Sequence, residues 1–134
     1  MGYFNVLAAA VGAFAFGAIW YTMMSKPWIA ATGMPVDQNG RPMGNGSKMP
    51  FTIGFLAMLL VAGMMRHIFH TSGIASPGGM RGGIVAGLGI GAFLITPWVA
   101  MNYAFAARDP KLTMIDGVNS VVGCAIMGAV LTLF

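Results

Sequence analysis

Four long apolar runs, separated by polar breaks rich in glycine and proline, set the architecture of this chain. Spans are expected at residues 3–24, 51–71, 82–107 and 112–134, with a polar loop over 25–50 and two short turns. A helix of about 20 residues crosses roughly 30 Å of hydrocarbon, so each run is long enough to span a bilayer. The reading is all-α: an antiparallel four-transmembrane-helix bundle forming a single integral membrane domain. The first run is expected to be retained as a span rather than removed as a signal peptide, because no Lys or Arg precedes it. Met1-Gly2 lacks the rest of a myristoylation signal, since Val6 stands where Ser or Thr is wanted.

The exit of the first span is the sharpest feature. Phe16-Gly17-Ala18-Ile19-Trp20-Tyr21 is followed by Lys26-Pro27-Trp28, which places aromatic rings with polar tips and then a cation where a helix leaves hydrocarbon. Trp20, Tyr21, Lys26 and Trp28, together with Trp98 in the third run, are expected to anchor helix ends at the membrane surface. Ala8 with Gly12 and Ala13 with Gly17 supply small residues four apart along the same run. The third run carries the strongest packing signal, with Gly83, Gly87 and Gly91 on one helical face and Gly82 and Gly89 off it. Such a face lets a second backbone approach closely. Pro97 lacks the amide that would bond the carbonyl of Phe93, so a kink is expected nearby.

Composition sharpens the class. The 134 residues are 57% hydrophobic and 7% charged, with a mean hydropathy of +0.79. Soluble domains carry roughly 25% charged residues. A net charge of +4 would suggest nucleic acid in a soluble protein, but here Lys and Arg gather at the ends of the runs, where they orient helices. Lys26, Arg41, Lys48, Arg108 and Lys111 fall by the first and third connections, against Arg66 and Arg81 by the second. The positive-inside bias therefore places both termini on the non-cytoplasmic side, and the expected location is a cell inner membrane. Thirteen methionines fit gap-filling in a lipid-embedded bundle, and the single cysteine, Cys124, excludes an intrachain disulfide.

The first-helix exit, the glycine-rich third run ending in Asn102 and Phe105-Ala106-Ala107-Arg108, and Asp116 early in the fourth run resemble an uncharacterised family of small bacterial four-helix membrane proteins. The resemblance covers nearly the whole chain. It implies a fold and no activity. Members often carry a Tyr-His pair a few residues after the helix-four acid or amide, where this chain has Asn119 and Ser120. A function resting on that histidine is absent here or performed differently.

Candidate chemistry centres on Asp116, because a carboxylate inside a membrane helix is costly unless paired, hydrated or protonated. Asn119, Ser120 and Gly123 share its face. The expected cluster also draws on Asn102, Arg108 and Lys111, and on Lys26 from the first loop. Its plain role is to clasp helices three and four, and its sharper role is a proton or ion relay. His67 and His70 suggest a soft metal site with Met64, yet they read better as interfacial residues beside Arg66 unless an oligomer brings copies together. Cys124 reads as a small packing residue. No catalytic, cofactor or metal site is expected, since no nucleophile stands with a histidine and an acid and no phosphate loop follows a strand.

The leading expectation is a structural or accessory subunit that packs against itself or a larger membrane complex through Gly12, Gly17, Gly83, Gly87 and Gly91. The competing one is an oligomeric small-solute or ion transporter that uses Asp116. Lipid is the expected surrounding phase, and no nucleic-acid partner is expected.

Overall fold

The computed structural model describes residues 3–39, 48–74 and 79–133. All regular elements among these residues are helical: α1 Phe4–Met23, α2 Ser25–Thr32, α3 Met49–Thr71, α4 Gly79–Ile90, α5 Thr96–Phe105 and α6 Pro110–Leu133, with a π turn over Gly91–Ile95 joining α4 to α5. Four helical stretches are long and apolar enough to cross a membrane, the third being Gly79–Phe105 taken whole. Arg41, Gly40 and Pro77 lie outside the described residues.

Helix boundaries follow local chemistry. Pro27 lacks the amide that would hold the carbonyl of Met23, and its ring crowds that carbonyl, so the chain turns at Met24 and restarts as α2. The expected loop over 25–50 therefore begins with two turns of helix. α2 ends at Gly33, whose φ of 69° is the left-handed conformation that glycine adopts without strain. The Asp37 carboxylate then accepts the Asn39 amide at 2.8 Å, which opens the next turn. The interruption expected from Pro97 takes the form of the π turn just before it. There the Thr96 hydroxyl donates to the Gly91 carbonyl at 2.7 Å, engaging a backbone group at the break.

α6 is the hub. α1 packs along one side of it and α4, the π turn and α5 along the other, while α3 packs chiefly on α1. The core joins Val6, Ala9 and Ala13 of α1, Ala62, Met65 and Phe69 of α3, and Cys124, Met127 and Leu131 of α6. Between α4 and α6 the backbones themselves touch. A Cβ at Gly83 would strike the Gly128 carbonyl, one at Gly87 would strike that of Cys124, and one at Gly91 would lie 2.6 Å from the Ser120 carbonyl oxygen. Gly82 and Gly89 face open space, as their positions off the seam predict.

This seam corrects one expectation. Gly83, Gly87 and Gly91 meet the chain's own Gly128, Cys124 and Ser120, which recur every four residues on α6, rather than a partner. Gly12 and Gly17 likewise face α6, near Ile126 and Asn119. The reason is antiparallel register: two small-residue ladders with the same spacing can close on each other within one chain.

Candidate functional site

The start of α6 sets the position of Asp116. The Asp109 carboxylate accepts the Lys111 amide at 2.9 Å, its carbonyl accepts the Leu112 amide, and Pro110 occupies the first helical position. Just before, Ala107 adopts a φ of 57°, folding α5 back onto α6. Asp116 thus sits two turns into α6, half-buried, with the ends of α1 and α5 on either side.

Its two oxygens have different partners. The Tyr21 hydroxyl of α1 donates to Oδ1, and the Tyr103 hydroxyl of α5 donates to Oδ2 at 2.5 Å. One carboxylate therefore joins three spans. Asn119, one turn on, approaches the same Tyr21 hydroxyl. Room for it exists because Gly17 has no side chain: a Cβ there would lie 3.3 Å from Asn119 Oδ1. The Ser120 hydroxyl donates back to the Asp116 carbonyl at 3.0 Å. Trp20 donates through Nε1 to the Ile115 carbonyl at 2.9 Å, a second link between α1 and this turn of α6.

A short helix closes over the cluster. The Trp28 ring of α2 stands edge-on to the Tyr21 ring with centroids 6.3 Å apart, and Arg108 Nη1 donates to the Thr32 carbonyl at 3.1 Å. That bond ties the last turn of α2 to the α5–α6 turn, with a cation at a helix C-terminus, where the dipole favours it.

The geometry keeps part of the expected cluster and rejects part of it. Asp116, Asn119 and Ser120 come together. Arg108 turns to Thr32 instead of pairing with Asp116, Asn102 is exposed on α5, and Lys26 and Lys111 are exposed. Among the described residues neither Asp116 oxygen meets a cation, and each accepts from one tyrosine hydroxyl. Of the expected surface anchors, Trp20, Tyr21 and Trp28 are half-buried members of this site, while Trp98 is 67% exposed. Tyr103 reads from the sequence, with Trp98 and Asn102, as part of a more polar second half of the third run and not as a member of the Asp116 cluster. Its spacing of 13 residues from Asp116 across a tight turn was the available signal, whereas Tyr21 lies 95 residues away and gives none.

His67 and His70 are exposed on α3, and no three of His, Cys, Asp and Glu come together among the described residues. Cys124 is buried in the seam.

Four apolar helices around an internal seam, with polar side chains gathered near one end, define a multi-pass helical membrane protein. The chain belongs to DUF1761, a family of proteins of unknown function, which it matches over residues 4–132. No curated protein and no solved structure matches it.

Proposed function

We propose that the working element of this protein is Asp116, which takes up and releases a proton or small cation in a transporter assembled from several copies. The observation that carries the reading is the carboxylate itself: it lies in a span, accepts from Tyr21 and Tyr103, and meets no cation among the described residues. An ionisable residue inside a membrane helix is costly to keep and marks ion or proton pathways by default. The oxygens of Asp116, Tyr21, Tyr103 and Asn119 form a hard donor set suited to a proton or an alkali cation. The charge bias around Lys26, Lys48, Arg108 and Lys111 supports a site near the cytoplasmic face of an inner membrane, with both termini opposite. No enzymatic step is part of the reading.

The test is Asp116→Asn in protein reconstituted into vesicles, with flux followed by a pH-sensitive dye under imposed proton and sodium gradients. Lost flux with unchanged native mass supports the reading. Unchanged flux, or lost assembly in a protein that never carried flux, overturns it in favour of a structural clasp.

A second reading, an accessory subunit docking on a larger complex or a second copy, is favoured by the margin position of α3. Ile53, Leu56, Leu60 and Met64 are exposed there, and a Cβ at Gly63 would meet nothing. Purification from the native membrane in polymer discs, followed by native mass, tests it: a stoichiometric partner supports it and a lone bundle removes it.

A further inference from the structure

At the end of the bundle away from Asp116, α1 begins and α3 finishes. α1 and α3 run antiparallel, with Phe14 against Phe55 along their length and Tyr3 against Arg66 at this end. Arg66 lies five residues before the last residue of α3 and is half-buried. Its guanidinium carbon stands 4.7 Å from the centre of the Tyr3 ring, a cation–π contact that fixes the group against α1. Its Nε is buried without a hydrogen-bond partner among the described residues, and so is Oδ1 of Asn5, a side chain 8% exposed near the start of α1.

The charge at this end is one-sided. All three acidic residues of the chain, Asp37, Asp109 and Asp116, belong to the opposite half, whereas Arg66, His67, His70 and Arg81 belong to this one. A fixed guanidinium in a span is favoured by an anion beside it, and the described residues supply none here. The phase around a helix end at this depth supplies phosphates. A guanidinium matches phosphate through a planar fork of donors, which a lysine does not reproduce.

We propose that Arg66, held by Tyr3, binds a phosphate group at this end of the bundle, and that the group belongs to an acidic phospholipid headgroup. The site is separate from Asp116 and does not depend on transport.

The experiment is native mass spectrometry of the delipidated full-length protein titrated with phosphatidylglycerol, with phosphatidylcholine and with inorganic phosphate. Phosphatidylglycerol retention is expected to fall about tenfold in Arg66→Gln, which is about 1.4 kcal/mol. Arg66→Lys, which keeps charge without the fork, should lose a smaller part, and Arg81→Gln, which removes an exposed cation from the same end, should change retention less than twofold. Tyr3→Leu, at the exposed start of α1, is expected to weaken retention with the bundle intact, and it serves where an Arg66 variant fails to fold. Equal losses in Arg66→Gln and Arg81→Gln would show diffuse charge rather than a built site and overturn the proposal. Inorganic phosphate displacing the lipid at millimolar concentration would reassign the ligand to the free ion and overturn the headgroup. Retention of phosphatidylcholine equal to that of phosphatidylglycerol would likewise overturn the preference for an acidic lipid.

Discussion

The two sides of α6 solve the same packing problem differently. Toward α4 the contact is backbone on backbone: glycines at 83, 87 and 91 lie directly on the carbonyls of Gly128, Cys124 and Ser120. Toward α1 the contact passes through side chains. A Cβ at Gly12 would lie 3.1 Å from the Ile126 Cγ2 methyl, and one at Gly123 would lie 3.8 Å from the Ala13 Cβ. A flexible side chain can move a few tenths of an ångström, whereas a helix backbone moves only as a whole. Glycine count alone therefore says little about sensitivity, and what the missing Cβ would strike says more.

This difference ranks the expected effects. Gly87→Ala should be the most damaging single methyl, at about 3 kcal/mol or more, because α4 and α6 must part along their length. Unfolding in a mixed-micelle titration of SDS against mild detergent measures it, and a near-neutral result would break the contrast. Tyr103→Phe and Tyr21→Phe each remove one interhelical donor from Asp116, with an expected cost of about 0.6 to 1.7 kcal/mol in the same titration. A larger cost for the double variant than for the sum would show that the two hydroxyls act as one unit. Gly12→Ala should cost about 1 kcal/mol or less, since Ile126 can shift. Gly89→Ala, facing open space, should fall within about 0.5 kcal/mol of the parent. Inversion of the order of Gly87 and Gly12 would mean that α4 is the looser neighbour of α6.

The ends of the bundle differ in a related way. Asp116 finds its donors inside the chain, from two tyrosines on other helices, while among the described residues Arg66 meets an aromatic face and its Nε has no hydrogen-bond partner. Internal satisfaction makes the first end a closed cluster gripped by α2. The second end keeps buried polar atoms, Arg66 Nε and Asn5 Oδ1, without partners among the described residues.

Much of this was legible in the residue pattern. The four apolar runs, the glycine face with Gly82 and Gly89 off it, and the lone acid at position 116 can each be read from spacing and residue type within a single helix. What was not legible involves residues far apart in sequence. Nothing near Tyr21 says that its hydroxyl meets Asp116, and the sequence reading sent Arg108 to the acid rather than to Thr32. The helix over Ser25–Thr32 was hidden because Pro27, with Gly33 and Pro35 close behind it, looks like the start of a loop, although proline is tolerated in a first helical turn.

Hydropathy and length alone determined that this chain makes membrane-spanning helices, because a backbone in hydrocarbon must satisfy its polar groups within each segment and needs no distant partner to do so. Which helix each glycine face meets, and which groups surround the half-buried acid, was decided only when the helices assembled. A small-residue ladder fits any ladder of the same period and a carboxylate accepts from any donor, so only the three-dimensional arrangement selects the chain's own α6 for the one and Tyr21 with Tyr103 for the other.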